Sequence, residues 1–222
     1  QVMLATLGLL TPPRRKAGKA DVLAAIRQIH NLQIDTISVV ARAHQHILWS
    51  RLGSYQTKWL EELHTEGQLF EYFSHAVCLL PIEDYPLFRA LMREKFVGWD
   101  NIRDWGHKNA DILDQIMDHI HQNGAVRSSD FESKESRGAW WDWKVEKVAL
   151  EHLYYRGDLM IARRESFQRV YDLRERVLPT WNDAQTPEYP VAVRELIRKA
   201  IKALGVANNT WAANYFYIKK AE

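Results

Sequence analysis

Gln33 and Asp35 stand two residues apart in the run LQIDTI, with Ile34 between them. The run is short, β-branched and alternating, which predicts a strand or strand-like segment. In a strand, side chains two apart point the same way and lie ~6.5–7 Å apart. Ile34 would then face a core while Gln33 and Asp35 project together. An ionised carboxylate can take a proton from a water as that water attacks, and a neutral amide can orient the water. A second carboxylate in place of the glutamine would instead raise the aspartate's pKa. The plainer alternative is that Asp35 only caps the helix that follows.

That helix is predicted over about 38–52, capped by Thr36 or Ser38 and ended near Gly53. At ~100° per residue, Val39, Val40, Ala43 and Ile47 form one apolar sector and Ala41, Leu48 and Leu52 another. Arg42, Gln45, His46 and Trp49 share a polar face between them, and His44 and Arg51 share a second strip. Guanidinium, imidazole and indole on one face suit contacts to phosphate, although an ordinary solvated face fits the same pattern. His75, in FSHAV, is either a hydrogen-bonded turn histidine or a phosphate or sugar contact beside Gln33 and Asp35. The pairs His44/His46 and His119/His121 invite a metal reading. Residues two apart on a helix do not face the same way, however, and there is no His-Glu-x-x-His pattern and no second cysteine. No metal and no cofactor are expected.

The elements around these residues follow a recognisable order. A basic, proline-bearing linker, TPPRRKAGK, precedes a helix with Val22, Ala25, Ile26 and Ile29 on one side. The strand and helix described above come next, then a helix in QTKWLEELHTEG stopped by Gly67, then two strands in LFEYFSHAVCLLP closed by Pro81. Helix, strand, helix, helix and β-hairpin is the order of a winged helix, a helix-turn-helix variant. It recurs as a helix in DYPLFRALMREKFVG, a Trp-rich turn, a helix in HKNADILDQIMDHIHQNG, an extended segment VRSSDF, a long helix ending at Gly157, and a second wing in LMIARRESFQRVYDL. Trp140, Lys144, Lys147 and Glu151 share a face of the long helix, and the wing carries Arg163, Arg164 and Arg169. Alternation puts Arg163 and Arg164 on opposite faces. These arginines serve either phosphate contact or solubility and edge protection. A further helix lies in PEYPVAVRELIRKAIKALG, and TWAANYF is expected to open a third unit with 205–222 fraying. The expected fold is mainly α with short β-hairpins (α+β), in tandem winged helix-turn-helix modules at 1–82 and 83–180, followed by a linker helix and the start of a third module at 181–222.

Hydrophobic residues make up 46% of the 222, which rules out global disorder. The net charge of +2 neither demands nor excludes nucleic acid, so clustering has to carry that argument. Nine tryptophans and nine tyrosines exceed what a core of this size needs and suit stacking. The single cysteine, Cys78, excludes an intrachain disulfide, and its apolar run AVCLL predicts a buried hydrophobe in a reducing, cytoplasmic compartment. No apolar run approaches the roughly 18 residues of a membrane span. The chain starts at Gln1 rather than methionine, and a missing N-terminal piece is expected.

Four segments together resemble the YcaQ/AlkZ-type winged-helix DNA glycosylases: LQIDTISVVARAHQHILWSRLG, LFEYFSHAVCLLPIEDYPLF, RGAWWDWKVEKVALEHLYYRGDLMIARRESFQRVYDLRERVLP and IRKAIKALGVA. These bacterial enzymes remove bulky N-alkylated bases and unhook interstrand crosslinks. The resemblance covers nearly the whole chain in the family's order. The family's catalytic Gln, apolar residue, then Gln or Asp maps onto Gln33, Ile34 and Asp35, and the acidic third residue places the chain with the YcaQ-like branch. Members look like three tandem winged helices. The resemblance therefore implies that this chain holds two and the opening of the third, that its first residue falls within the family's first helix, and that 1–222 alone binds damaged duplex poorly and turns over little or not at all.

The implied partner is double-stranded DNA carrying alkylated purines or interstrand crosslinks, bound by a monomer associated with the nucleoid. The implied DNA contacts are Arg42, His44, His46, Trp49, Arg51, His75, Lys144, Lys147, Arg163, Arg164 and Arg169. Alkylation at purine N7 makes the base a cationic leaving group, which removes the usual need for a second carboxylate as acid. What remains is to place a water below the anomeric carbon and stabilise an oxocarbenium-like sugar. The competing classes are a non-catalytic winged-helix DNA-binding protein or transcription regulator, in which Gln33 and Asp35 are replaceable, and a protein-interaction module with no salt-dependent DNA affinity.

Overall fold

The structure, a computed structural model, describes residues 1–11, 15–94, 100–131 and 142–218, with backbone only at 100–103 and 142–144. They fall into two units, Gln1–Ala90 with Gln185–Glu222, and Leu91–Ala184.

The first unit opens with a short helix α1 (Val2–Thr6) and then α2 (Lys19–Ile29). The start of α2 is fixed by Asp21, whose carboxylate accepts from the Gly18 N–H at 2.7 Å. Its end is fixed by His30, which turns the chain at φ +53°. The expected stripe Val22, Ala25, Ile26 and Ile29 is buried. Next come β1 (Leu32–Gln33), α3 (Ala43–Leu52), α4 (Lys58–Thr65), β2 (Leu69–Phe73) and β3 (Val77–Pro81). Gly67, at φ +69°, reverses the chain between α4 and β2. The three strands form one antiparallel sheet in the order β1-β3-β2, with Leu32 opposite Leu79 and Phe73 opposite Val77. Helix, strand, helix, helix, hairpin, with the first strand paired to the last, is the winged-helix order. Val22, Ile26 and Ile29 of α2, Leu48 of α3, Leu60 and Leu63 of α4, and Leu32, Leu69 and Leu79 of the sheet make one core.

The helix expected from Ser38 begins instead at Ala43, with Arg42 as its N-cap. The apolar sector assigned to Val39 and Val40 therefore does not exist. Ile37, Val39 and Val40 are 69, 91 and 89% exposed. Three local causes displace the start. The Asp35 carboxylate accepts from the Ile37 N–H at 2.8 Å and makes a turn. The β-branched pair Val39-Val40 loses side-chain freedom in a helix. The Gln45 side chain accepts from the Arg42 N–H at 3.1 Å and closes the helix terminus there.

The chain continues through α5 (Tyr85–Glu94) into the second unit, with α6 (Asp100–Lys108), α7 (Ala110–Asn123) and α8 (Asp142–Arg156), the hairpin β4 (Leu159–Glu165) and β5 (Gln168–Leu173), and a short α9 (Arg174–Val177). Where a Trp-rich turn was expected, residues 100–108 are helical. Gly106 brings α6 onto α8, because a Cβ there would lie 2.0 Å from Cε1 of the buried His152. Gly106→Ala is expected to destabilise this unit by about 1–3 kcal/mol through overpacking, read as a lower urea midpoint. Val126 and Tyr171 exchange N–H···O bonds of 2.9 and 2.8 Å, so the extended segment after α7 pairs with the last strand as β1 does in the first unit. The start of the expected long helix, with Trp140, lies outside the described residues.

The last two helices, α10 (Tyr189–Leu204) and α11 (Asn209–Tyr215), belong to the first unit. This division differs from the expected boundaries, which set 83–90 with the second module and 181–222 apart. Residues 205–218, where fraying was expected, include α11 and buried Phe216 and Ile218, and 219–222 lie outside the described residues. The reason is packing. Ala192, Ala200, Ala203, Ala212 and Ala213 are buried and permit close approach, and Phe216 meets Phe88 edge-on at 6.1 Å. Buried Asp84 ties α10 down as well, 2.9 Å from Lys199 Nζ and 2.9 Å from His30 Nδ1. No described helix is long and apolar enough to cross a membrane.

Candidate active site

Gln33 ends β1, and the next residue extends the pairing by one bond, from the Ile34 N–H to the Val77 carbonyl at 2.8 Å. Ile34 packs against the core of the first unit, while Gln33 and Asp35 on either side of it stay partly accessible. Asp35 spends one carboxylate oxygen on the Ile37 N–H. It thus shapes the turn after the motif rather than the start of α3.

The hairpin between β2 and β3 brings His75 to Gln33, with His75 Nε2 3.3 Å from Gln33 Oε1. The other ring nitrogen, Nδ1, lies 3.0 Å from Asn31 Nδ2. Asn31 is buried, and its NH2 group, with two hydrogens to give, also faces the Tyr215 carbonyl at 2.8 Å and Ser74 Oγ at 3.0 Å. The Tyr215 hydroxyl donates to the Ile29 carbonyl at 2.6 Å. Tyr215 therefore clasps the chain on both sides of His30, and the clasp leads through Asn31 and His75 to Gln33. Neither Asn31 nor Tyr215 was singled out from the sequence. Asn31 continues the alternation of Gln33 and Asp35 and could have been found; Tyr215, 184 residues away, has no local signal.

Burial pushes the Tyr215 phenol and the Cys78 thiol up to about 12, so both stay neutral and Cys78 is inert. Partial desolvation also lowers the His75 imidazole from its ordinary value, a small effect because the residue is exposed at the surface, with the Tyr215 carbonyl opposing part of the shift. Folded chains then bind fewer protons at His75 than unfolded ones. The stability this carries is complete above the unfolded value near 6.5 and falls as pH drops below it. Urea midpoints are expected to fall on acidification through that value, and His75→Gln should flatten the fall.

The suggested DNA contacts divide. His46 and Trp49 are exposed on neighbouring turns of α3, Trp49 by 61%. His44 is buried, which corrects its assignment to a DNA-facing strip. Arg51 is half-buried, donates to the Ile47 carbonyl at 2.8 Å, and has its pKa lowered by desolvation. Arg42 is partly buried at the N-cap. In the second unit Lys147 is exposed, while the Lys144 side chain lies outside the described residues. Arg163 pairs with Glu165 at 2.6 Å. Arg164 stacks 4.5 Å from the Phe167 ring centroid and donates to the Phe167 carbonyl at 2.8 Å. Arg169 lies over Tyr154 at 5.2 Å. Among the described residues no group of three or more His, Cys, Asp or Glu is placed to hold a metal ion.

Two comparisons bear on this arrangement. The family model for AlkZ-like DNA glycosylases matches residues 26–222. Among solved structures, the DNA glycosylase AlkZ of Streptomyces sahachiroi superposes with a TM-score of 0.63 over 97% of this chain at 11% identity. At that identity the likeness is one of fold. This chain spans 62% of the length of the matched one.

Proposed function

The chain belongs to the AlkZ-like DNA glycosylase family, and on that premise we propose that the protein hydrolyses the N-glycosidic bond of N7-alkylated purines in duplex DNA, including those that form interstrand crosslinks, with Asp35 as general base and Gln33 as the group that orients the attacking water. The observation that carries the reading is the placement of Gln33 and Asp35, partly accessible on either side of a core-packed Ile34, with His75 held against Gln33. A cationic base leaves without protonation, so one carboxylate suffices. Asp35 takes the water's proton as the C–N bond breaks and its charge stabilises the developing oxocarbenium ion. Neither step calls for a cofactor.

The test is a nitrogen-mustard crosslinked duplex incubated with the full-length protein. Separation of the strands in a denaturing gel, with alkali-labile sites where the purines were linked, supports the proposal. A crosslink left intact while an N7-methylguanine is released would confine the activity to monoadducts.

Phosphate contacts are assigned to exposed cations, chiefly Lys147 and Arg163. Lys147→Ala is expected to weaken binding to all duplex sequences alike and to flatten the slope of log affinity against log salt by about 0.9. An altered sequence preference with an unchanged slope would instead indicate contact with base edges.

A further inference from the structure

Tyr215 lies at the C-terminal end of α11, yet its two polar groups bracket the segment that enters β1. Its hydroxyl bonds the Ile29 carbonyl and its carbonyl takes a hydrogen from Asn31. A backbone carbonyl only accepts, so the contact at 2.8 Å forces the NH2 end of the Asn31 amide towards Tyr215. The same NH2 is 3.0 Å from His75 Nδ1. One NH2 hydrogen is left after Tyr215, and Ser74 Oγ at 3.0 Å competes for it; the imidazole nitrogen is the more basic acceptor, and a hydrogen directed to it requires a lone pair on Nδ1 and puts the proton of the neutral His75 ring on Nε2. Nε2–H in turn points at Gln33, whose carbonyl oxygen is the group placed to accept it at 3.3 Å.

We propose that Asn31, anchored by the Tyr215 carbonyl, is a positioning residue that holds His75 in its Nε2–H tautomer and thereby turns the Gln33 amide oxygen inward, leaving the Gln33 NH2 to bind the attacking water or the sugar. The inference rests on the glycosidase reading of Gln33 and adds the residues that set its polarity. An NH2 group can donate to a water oxygen and leave both water hydrogens free, one for Asp35. A carbonyl in its place would take one of those hydrogens itself. The opposite arrangement is chemically accessible: with the proton on Nδ1, directed at the Tyr215 carbonyl, His75 would accept at Nε2 and Gln33 would present its oxygen. Asn31 is what opposes it.

The arrangement has a cost. Asn31 Oδ1 is buried with no hydrogen-bond partner among the described residues. A buried acceptor left unpaired is unfavourable, and a leucine or serine would avoid the loss. Retention of an amide there fits a site in which its donor end is in use.

The test reads the tautomer directly. Long-range proton–nitrogen correlation spectra of the protein at neutral pH are expected to show His75 as the Nε2–H form alone. Asn31→Ala should give a mixture of tautomers. Asn31→Asp keeps the side-chain shape but accepts instead of donating, and should move the proton to Nδ1. In single-turnover base release both variants should lose about tenfold or more in rate, the scale of a misplaced reacting group, with duplex affinity unchanged. His75→Gln, which can place an N–H where Nε2 stands, should recover most of the rate that His75→Ala loses. A wild-type His75 protonated on Nδ1, or Asn31 variants with the wild-type rate, would overturn the proposal. The spectra need no turnover, so a wild-type protein with the Nε2–H form and no base release would count against the glycosylase reading alone.

Discussion

Asp35→Asn in the full-length protein is expected to slow single-turnover release of an N7-alkylated guanine by a factor of roughly 10² or more, the usual contribution of a general base, while duplex affinity stays the same. The substitution is chosen for what it leaves intact. Asparagine keeps an oxygen that can accept from the Ile37 N–H, so the turn at 35–37 survives. What goes is the charge and the basic lone pair, the two properties the mechanism uses. If Asp35 acted only through its turn, asparagine would be nearly silent, and equal rates for the two proteins would remove the catalytic role. Gln33→Ala should also be slower, by less, because a water can replace part of a positioning group.

The second large effect concerns stability. Asp84→Ala is expected to cost the first unit about 3–5 kcal/mol, the range for removing one partner of a buried ion pair. Asp84 has no exposed surface; its Oδ2 bonds His30 Nδ1 at 2.9 Å, and its Oδ1 lies 2.9 Å from Lys199 Nζ as an ion pair without hydrogen-bond alignment. Removing the carboxylate strands a largely buried ammonium on α10. Lys199→Met strands the carboxylate and should be of similar severity. The double variant Asp84→Leu with Lys199→Met replaces the pair by apolar groups and should recover much of the loss. Urea unfolding of the wild type, Asp84→Leu, Lys199→Met and their double variant at neutral pH closes the cycle. Additive losses would show that Asp84 and Lys199 are energetically independent. Because Lys199 holds the helix that precedes α11, the single variants should also reduce activity through Tyr215.

The parts of the fold that were legible in the sequence are those with local causes. The stripe Val22, Ala25, Ile26 and Ile29 announces α2, and FEYFSHAVCLL announces the β2–β3 hairpin. The failures share a different cause. A helix wheel from Ser38 places Val39 and Val40 in the core, because periodicity alone cannot see that Asp35 captures the Ile37 N–H and Gln45 captures that of Arg42. The helix over 100–108 is hidden by Trp105 and by a glycine that reads as a breaker. The reason for that glycine, the ring of His152, is 46 residues away. Of the site, Gln33 and Asp35 were visible from their spacing and His75 from its turn. An asparagine after a helix is ordinary turn chemistry, so Asn31 carries no local signal of its tertiary role. The contributions of Tyr215, Asp84 and Lys199 are tertiary and leave no mark on local pattern.

The central claim is that this protein breaks a glycosidic bond. The most direct measurement is a single-turnover reaction of the full-length protein with a duplex containing one N7-methylguanine, the released base being counted by mass spectrometry and the remaining strand assayed for an abasic site. Free 7-methylguanine and abasic sites are expected in equal amounts, formed far faster than by spontaneous loss, and none from the unmodified duplex. A protein that binds the damaged duplex in a salt-dependent manner yet releases base no faster than buffer would contradict it, and would mark the chain as a winged-helix DNA-binding protein without catalysis.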